Sequence, residues 1–282
     1  PDFIEVSAEF AARLSEYIRQ GGAVIASFES GLNREKTEFA LKELGVRLNP
    51  EQTKDEYGNR VAGKAYERFD YADYVIPSGE IGKGLPETEH VMYMKGLEVT
   101  AEAGSTVLAK AIQSYFNRTY KHFCSHRQTP SSGKPGYDAI VRNGNVIYFA
   151  HPIFKQYNQN APRWCKQLLV NAMEMLLGDF LLRHSGPSTL LTTINEQPTE
   201  NRWVVHLLHY IPERRCQDID VIEDVIPLYN VRVSVKTGRP VRQVACVPDG
   251  KTIDYSFADG RVEFVVPVIN GHQMVCIQFG DR

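Results

Sequence analysis

The first clear periodicity starts at Ser7. In SAEFAARLSEYIRQGG, Phe10, Leu14, Tyr17 and Ile18 recur at helical spacing, with Ser7 as a cap and glycines at the far end, which predicts an amphipathic helix. The run AVIAS (23–27) follows at once, continuously apolar in the way of a strand covered on both faces. ESGLNREKTEFALKELG then predicts a second helix, capped by Asn33 and ending at Gly45. Helix, strand, helix implies an α/β layer. Between 50 and 104, KAYERFDYADYVI and HVMYMKGLEVT read as strands joined by the loop PSGEIGKGLPETE, whose IGKGLP lacks the spacing of a phosphate-binding loop. YDAIVRNGNVIYFAHPIF sets two alternating runs around Asn143-Gly144, a hairpin signal. NAPRWCKQLLVNAMEMLLGD predicts a helix burying Leu168, Leu169, Ala172, Met173, Leu176 and Leu177.

From about residue 185 the texture changes. TLLTTINEQ, RWVVHLLHYI, VIPLYNVRVSVK, PVRQVACVPDG, TIDYSFADG, RVEFVVPVI and HQMVCIQF form a series of short β-rich runs, punctuated by Pro248-Asp249-Gly250, Asp259-Gly260 and Asn270-Gly271. Such spacing predicts an antiparallel sandwich. The expected organisation is an α/β domain over 1–155, a linking helix over 156–184 and a β-sandwich over 185–282. The opening PDFIEVS reads as the end of a strand, so further chain is expected upstream.

Composition narrows the function classes. With 32 Lys plus Arg against 34 Asp plus Glu, the net charge of -2 supplies no broad basic field, and neither nucleic acid nor an anionic membrane is expected as a partner. The apolar runs are far shorter than the roughly 20 residues of a membrane span. Five cysteines, an odd number with no CxxC pair, fit reduced thiols and a cytoplasmic setting. No motif calls for a cofactor.

The densest chemistry lies in YFNRTYKHFCSHRQTP (115–130). On a strand, His122, Cys124 and His126 would share one side, about 6.5 to 7 Å apart in succession. That row meets the tetrahedral bond geometry of zinc poorly, so the three are weak metal candidates, with His90 and His151 as residues the fold could bring near. The alternative is a polar strand facing something outside the chain. Tyr115, Arg118, Tyr120, His122, His126, Arg127 and Gln128 have the aromatic and planar-donor character of a contact surface or of a sugar-site rim.

Together with this segment, GNVIYFAHPIFKQYNQNAPRW, GPSTL, VVHLLHYIPERR, IEDVIPLYNVRVSVK and NGHQMVCIQF resemble the carboxy-terminal part of bacterial glycoside hydrolases of the β-galactosidase and α-L-fucosidase-like kind. The resemblance implies an α/β flavodoxin-like trimerisation domain, of the class I glutamine-amidotransferase-like type and lacking its first strands, followed by an antiparallel β-sandwich. It implies an upstream catalytic (β/α)8 barrel on the same polypeptide and a homo-oligomer, and the barrel is where the carboxylate pair of glycoside hydrolysis sits.

Within this chain, Asp220, Glu223 and Asp224 read as solvated charges. The amidotransferase-like fold implied by the resemblance raises a Cys nucleophile on a strand-to-helix elbow, but the turn FESGLN places Phe28, Glu29 and Ser30 there. His206, His209, Trp164 and Trp203 read as structural, and Arg214 and Arg215, near Asp218 and Asp220, as a charged loop. The expected function is a non-catalytic oligomerisation and accessory region of a glycoside hydrolase. A carbohydrate-binding module is the alternative, and a Cys/His-dependent or metal hydrolase centred on Cys124 and His126 a weaker one.

Overall fold

The computed structural model describes residues 1–63, 71–117, 120–125 and 128–280. The chain divides into two compact units, Pro1–Gly178 and Asp179–Arg282.

The first unit opens with helix α1 (Ala8–Arg19), whose Ser7 Oγ accepts the Phe10 N–H at 3.2 Å. Ala11, Leu14 and Ile18 meet the core, while Phe10 and Tyr17 stay exposed. The strands are β1 (Val24–Ser27), β2 (Val46–Leu48), β3 (Asp73–Val75), β4 (His90–Met92), β5 (Val99–Ala101), β6 (Thr106–Ser114), β7 (Ser131–Asn143) and β8 (Val146–Phe149). Six of them form one sheet in the order β1-β8-β7-β6-β3-β4, and β2 pairs with β5. Helices α2 (Ile153–Asn160) and α3 (Arg163–Leu177) follow β8.

This arrangement overturns the α/β flavodoxin-like, amidotransferase-like expectation. Only β1–β8 is parallel; every other pairing in the sheet is antiparallel. Among the described residues no α-helix lies between β1 and β8, so the crossover helices of a doubly wound sheet are missing. The helix predicted after Asn33 fails for a local reason. Asn33 Oδ1 accepts the Thr37 N–H at 2.9 Å, its Nδ2 donates to Thr37 Oγ1 at 2.9 Å, and Lys36 adopts a φ of 55°. These side-chain bonds hold a loop in which Leu32 bridges Phe39, leaving only a 3-10 turn at Lys42–Leu44.

Other differences are smaller. Of KAYERFDYADYVI, residues 64–70 lie outside the described residues, and HVMYMKGLEVT splits into β4 and β5. The predicted hairpin is present, with Gly144 and Asn145 as its two loop residues and Gly144 at a φ of 55°. Helix α3 buries Cys165, Leu168, Asn171 and Ala172, whereas Met173 and Leu177 are exposed. Its rotation follows Asn171, whose Nδ2 donates to Ile81 O at 2.8 Å and Lys83 O at 2.9 Å.

The second unit contains β9 (Leu182–His184), β10 (Leu190–Gln197), β11 (Arg202–His209), β12 (Glu213–Arg214), β13 (Asp220–Val221), β14 (Leu228–Lys236), β15 (Val241–Val247), β16 (Tyr255–Ala258), β17 (Arg261–Ile269) and β18 (His272–Phe279). Two four-stranded antiparallel sheets, β10-β11-β18-β15 and β16-β17-β14-β9, share one core. Val205, Leu207, Val275 and Ile277 enter it from one sheet, and Val233, Val235, Val262 and Phe264 from the other. This is a β-sandwich, and each of the seven β-rich runs is a strand in it. No helix of the described residues is long and apolar enough to cross a membrane.

Candidate functional site

The segment 115–130 connects β6 to β7, and its described residues form a loop rather than the strand read from the sequence. Tyr115 N donates to Pro130 O at 2.8 Å, and Thr129 Oγ1 donates to Phe116 O at 2.8 Å. The His122 ring stacks on Phe116 with centroids 4.6 Å apart, and Cys124 Sγ lies 3.6 Å from Gln128 O. Tyr115, Tyr120 and Phe123 are exposed by 74%, 62% and 68%, an unusual density of bare aromatic area on one loop. Arg118, His126 and Arg127 lie outside the described residues. His90 sits beside Trp164, with ring centroids 5.2 Å apart, and His151 is engaged elsewhere. Among the described residues no group of three His, Cys, Asp or Glu side chains is placed to hold a metal ion.

His151 belongs to a buried polar cluster that the sequence did not reveal. β3 carries Asp73, β7 carries Tyr137, and His151 follows β8, so antiparallel pairing gathers three distant positions. Asp73 Oδ2 accepts from the Tyr137 hydroxyl and from Gly96 N at 3.1 Å, and lies 3.1 Å from His151 Nε2. The Tyr137 oxygen is 3.0 Å from the same ring nitrogen and accepts from Gly96 N at 2.8 Å. Burial works to raise the Asp73 pKa, but the hydrogen bond and charge of His151, with Lys95 and Tyr137 adding, hold it below the ordinary value. Burial and the Asp73 charge push Tyr137 well above the phenol range. With all three side chains buried, the cluster is a staple joining three elements rather than a surface for substrate.

The other buried carboxylates are also tied into structure. Asp2 accepts from Ser27 Oγ at 2.6 Å and Lys155 N at 2.6 Å; Glu29 pairs with Lys36 at 2.7 Å and with Arg60; Asp138 pairs with Lys110 at 3.0 Å and accepts from Ala101 N at 2.8 Å. A glycosidase acid requires a desolvated carboxyl aimed into a cleft, and these are aimed at their own scaffold. The turn after β1 is sharp, with Phe28 at a φ of 52°, yet among the described residues the buried Ser30 Oγ only accepts from Ile4 N at 3.1 Å.

In the second unit, Arg214 pairs with Asp220, and Arg215 with Glu213 at 2.7 Å and Glu223 at 3.0 Å, all exposed. Trp203 packs edge-on against Phe279, and the buried His209 ring lies 3.3 Å from Thr189 Oγ1. His206 Nδ1 lies 3.1 Å from His272 Nε2. A concavity of about 560 Å³ lies along the β16-β17-β14-β9 sheet and is lined by Arg183, Arg232, Ser234, Asp254, Tyr255 and Glu263 among others. Both of its carboxylates, Asp254 and Glu263, are exposed, unlike the desolvated acid of a glycosidase.

No protein-family model and no curated protein matches the chain. Among solved structures it is similar to the α-L-fucosidase isoenzyme 2 from Paenibacillus thiaminolyticus, at 30% identity and a TM-score of 0.86, over 100% of this chain and 40% of that one. It also shares a fold with a β-galactosidase from Rahnella sp. R3, at 12% identity and a TM-score of 0.50, over 95% of this chain and 30% of that one. The chain thus spans about two fifths of the fucosidase it matches, and along its whole length it is similar to a portion of a glycoside hydrolase.

Proposed function

We propose that the chain is a non-catalytic accessory and oligomerisation region of a glycoside hydrolase whose parent enzyme cleaves an O-glycosyl bond, an α-L-fucoside before a β-galactoside. The observation that carries this reading is the full-length match to 40% of an α-L-fucosidase. It is supported by the buried carboxylates, each of which serves the scaffold. In this reading a (β/α)8 barrel elsewhere on the parent polypeptide carries the chemistry. The loop between β6 and β7 meets that barrel or a neighbouring subunit, covering Tyr115, Tyr120 and Phe123.

Incubation of the homogeneous chain with nitrophenyl α-L-fucoside and nitrophenyl β-galactoside should release no nitrophenol above the buffer rate. Turnover that co-purifies with the chain and follows saturation kinetics would refute the non-catalytic role. For the contact role, Tyr115→Ser with Tyr120→Ser should lower the association state of the parent protein in light scattering or weaken its retention of fucoside. If neither changes, the loop has no such part.

A further inference from the structure

We propose that the cleft along the β16-β17-β14-β9 sheet is a binding site for a neutral saccharide. The volume of about 560 Å³ lies within the range of small-ligand sites, roughly 300 to 1,000 Å³. Its floor is a cross-strand rung in which Glu263 lies opposite Ser234 on one side and Ser256 on the other.

Glu263 is held in place before any ligand arrives. Asp179 Oδ2 anchors Arg261 Nη1 at 2.7 Å, Arg261 Nε donates to Ser234 Oγ at 2.9 Å, and Ser234 Oγ donates to Glu263 Oε1 at 3.0 Å. The second oxygen of Glu263 has no partner among the described residues, so a fixed acceptor faces the cleft. Arg232 and Asp254 are exposed and their side chains have no partner among the described residues, adding a planar donor and another acceptor. The Tyr255 hydroxyl donates to Val241 O at 2.8 Å, which holds an aromatic ring at the rim.

The charges select the ligand class. Arg183 is paired with Asp179 at 3.2 Å, which leaves Arg232 beside the two carboxylates Asp254 and Glu263, and desolvation keeps the His184 imidazole below its usual pKa. A cleft whose open carboxylates outnumber its open arginine gives no net attraction to an anion. Donors and acceptors set around an aromatic ring suit vicinal hydroxyls, each of which both donates and accepts. The choice of a saccharide over other polyols rests on the glycoside hydrolase reading above.

Calorimetry of the full chain against L-fucose, D-galactose and lactose tests this, with Glu263→Gln, Asp254→Asn and Arg232→Ala as variants and far-ultraviolet circular dichroism as the folding control. At least one sugar should bind with a millimolar or better dissociation constant, and each folded variant should weaken it by about tenfold. No heat with any of the three sugars, or binding unchanged in all three variants, overturns the proposal. So does binding that appears only with added calcium and tracks the cation alone. Failure here leaves the accessory role standing, whereas turnover of the nitrophenyl glycosides sinks that role without touching this site.

Discussion

Replacing Asp73 by alanine removes a carboxylate that joins β3 to β7 and to the residues after β8. Asp73 is completely buried, and its Oδ2 serves His151, the Tyr137 hydroxyl and Gly96 N. Removing one partner of a buried, hydrogen-bonded charge pair costs about 3–5 kcal/mol. Tyr137→Phe should cost less, about 1–2 kcal/mol, because Gly96 N and His151 keep Asp73 as a partner at 3.1 Å each. Against a typical domain stability of about 5–15 kcal/mol, the first change is severe and the second tolerable. The chain's two tryptophans divide between the units, Trp164 in the first and Trp203 in the second, so Trp203→Phe leaves a probe of the first unit alone. In urea, with a slope of about 2–3 kcal/mol per molar, Asp73→Ala should lower the Trp164 midpoint by roughly 1–2 M with the slope unchanged. A midpoint that stays put, or a Tyr137→Phe loss as large as that of Asp73→Ala, refutes the cluster as a staple.

The same carboxyl sets an acid limit. Its folded pKa lies below the ordinary 3.8, so its stabilisation is full above the unfolded value and fades as pH falls through the folded one; Asp73→Asn should flatten the Trp164 stability profile below about pH 4, and an unchanged acid limb refutes this. Cys165 is buried, with its thiol pushed up to about 12, so Ellman's reagent should modify the exposed Cys216 first and spare Cys165 until the chain unfolds. Early labelling of Cys165, read by peptide mass mapping, contradicts the packing of α3. Gly31 has a φ of 98° and an added Cβ would fall 2.5 Å from Leu44 Cδ1, whereas Gly58, at 82°, meets nothing within 4 Å. Gly31→Ala should therefore destabilise by about 2–4 kcal/mol and Gly58→Ala by about 1, and equal losses would show that strain alone decides.

The second unit is legible because its longer strands each have one wet face and one dry face. Val231, Val233 and Val235 alternate with Arg232, Ser234 and Lys236 in β14, and the period of two survives from sequence to sheet. The first unit hides its organisation. AVIAS does pair in parallel, with β8, but a continuously apolar run says nothing about the direction of the remaining pairings. The misread helix after Asn33 shows the limit of cap signals, since the side-chain bonds that cap a helix also close a loop. Asp73 was invisible for a different reason. It lies 64 residues from Tyr137 and 78 from His151, and no local pattern encodes such a meeting.

Site chemistry divides along the same line. Where a polar residue interrupts a buried face, as Asp73, Asp138 and Asn171 do, its hydrogen bonds run to the chain's own backbone and side chains. Where polar residues occupy the outward positions of a strand, as Arg232 and Glu263 do, part of their bonding capacity stays open to solvent. Desolvation makes an unsatisfied buried group expensive, so a fold pairs most interior polar atoms with its own groups, Asp73 Oδ1 and the Gln156 amide being exceptions among the described residues. Binding capacity in this chain therefore belongs on its exposed faces, the aromatic loop between β6 and β7 and the cleft over β14 and β17, and the substitutions that test function should be made there rather than among the buried carboxylates.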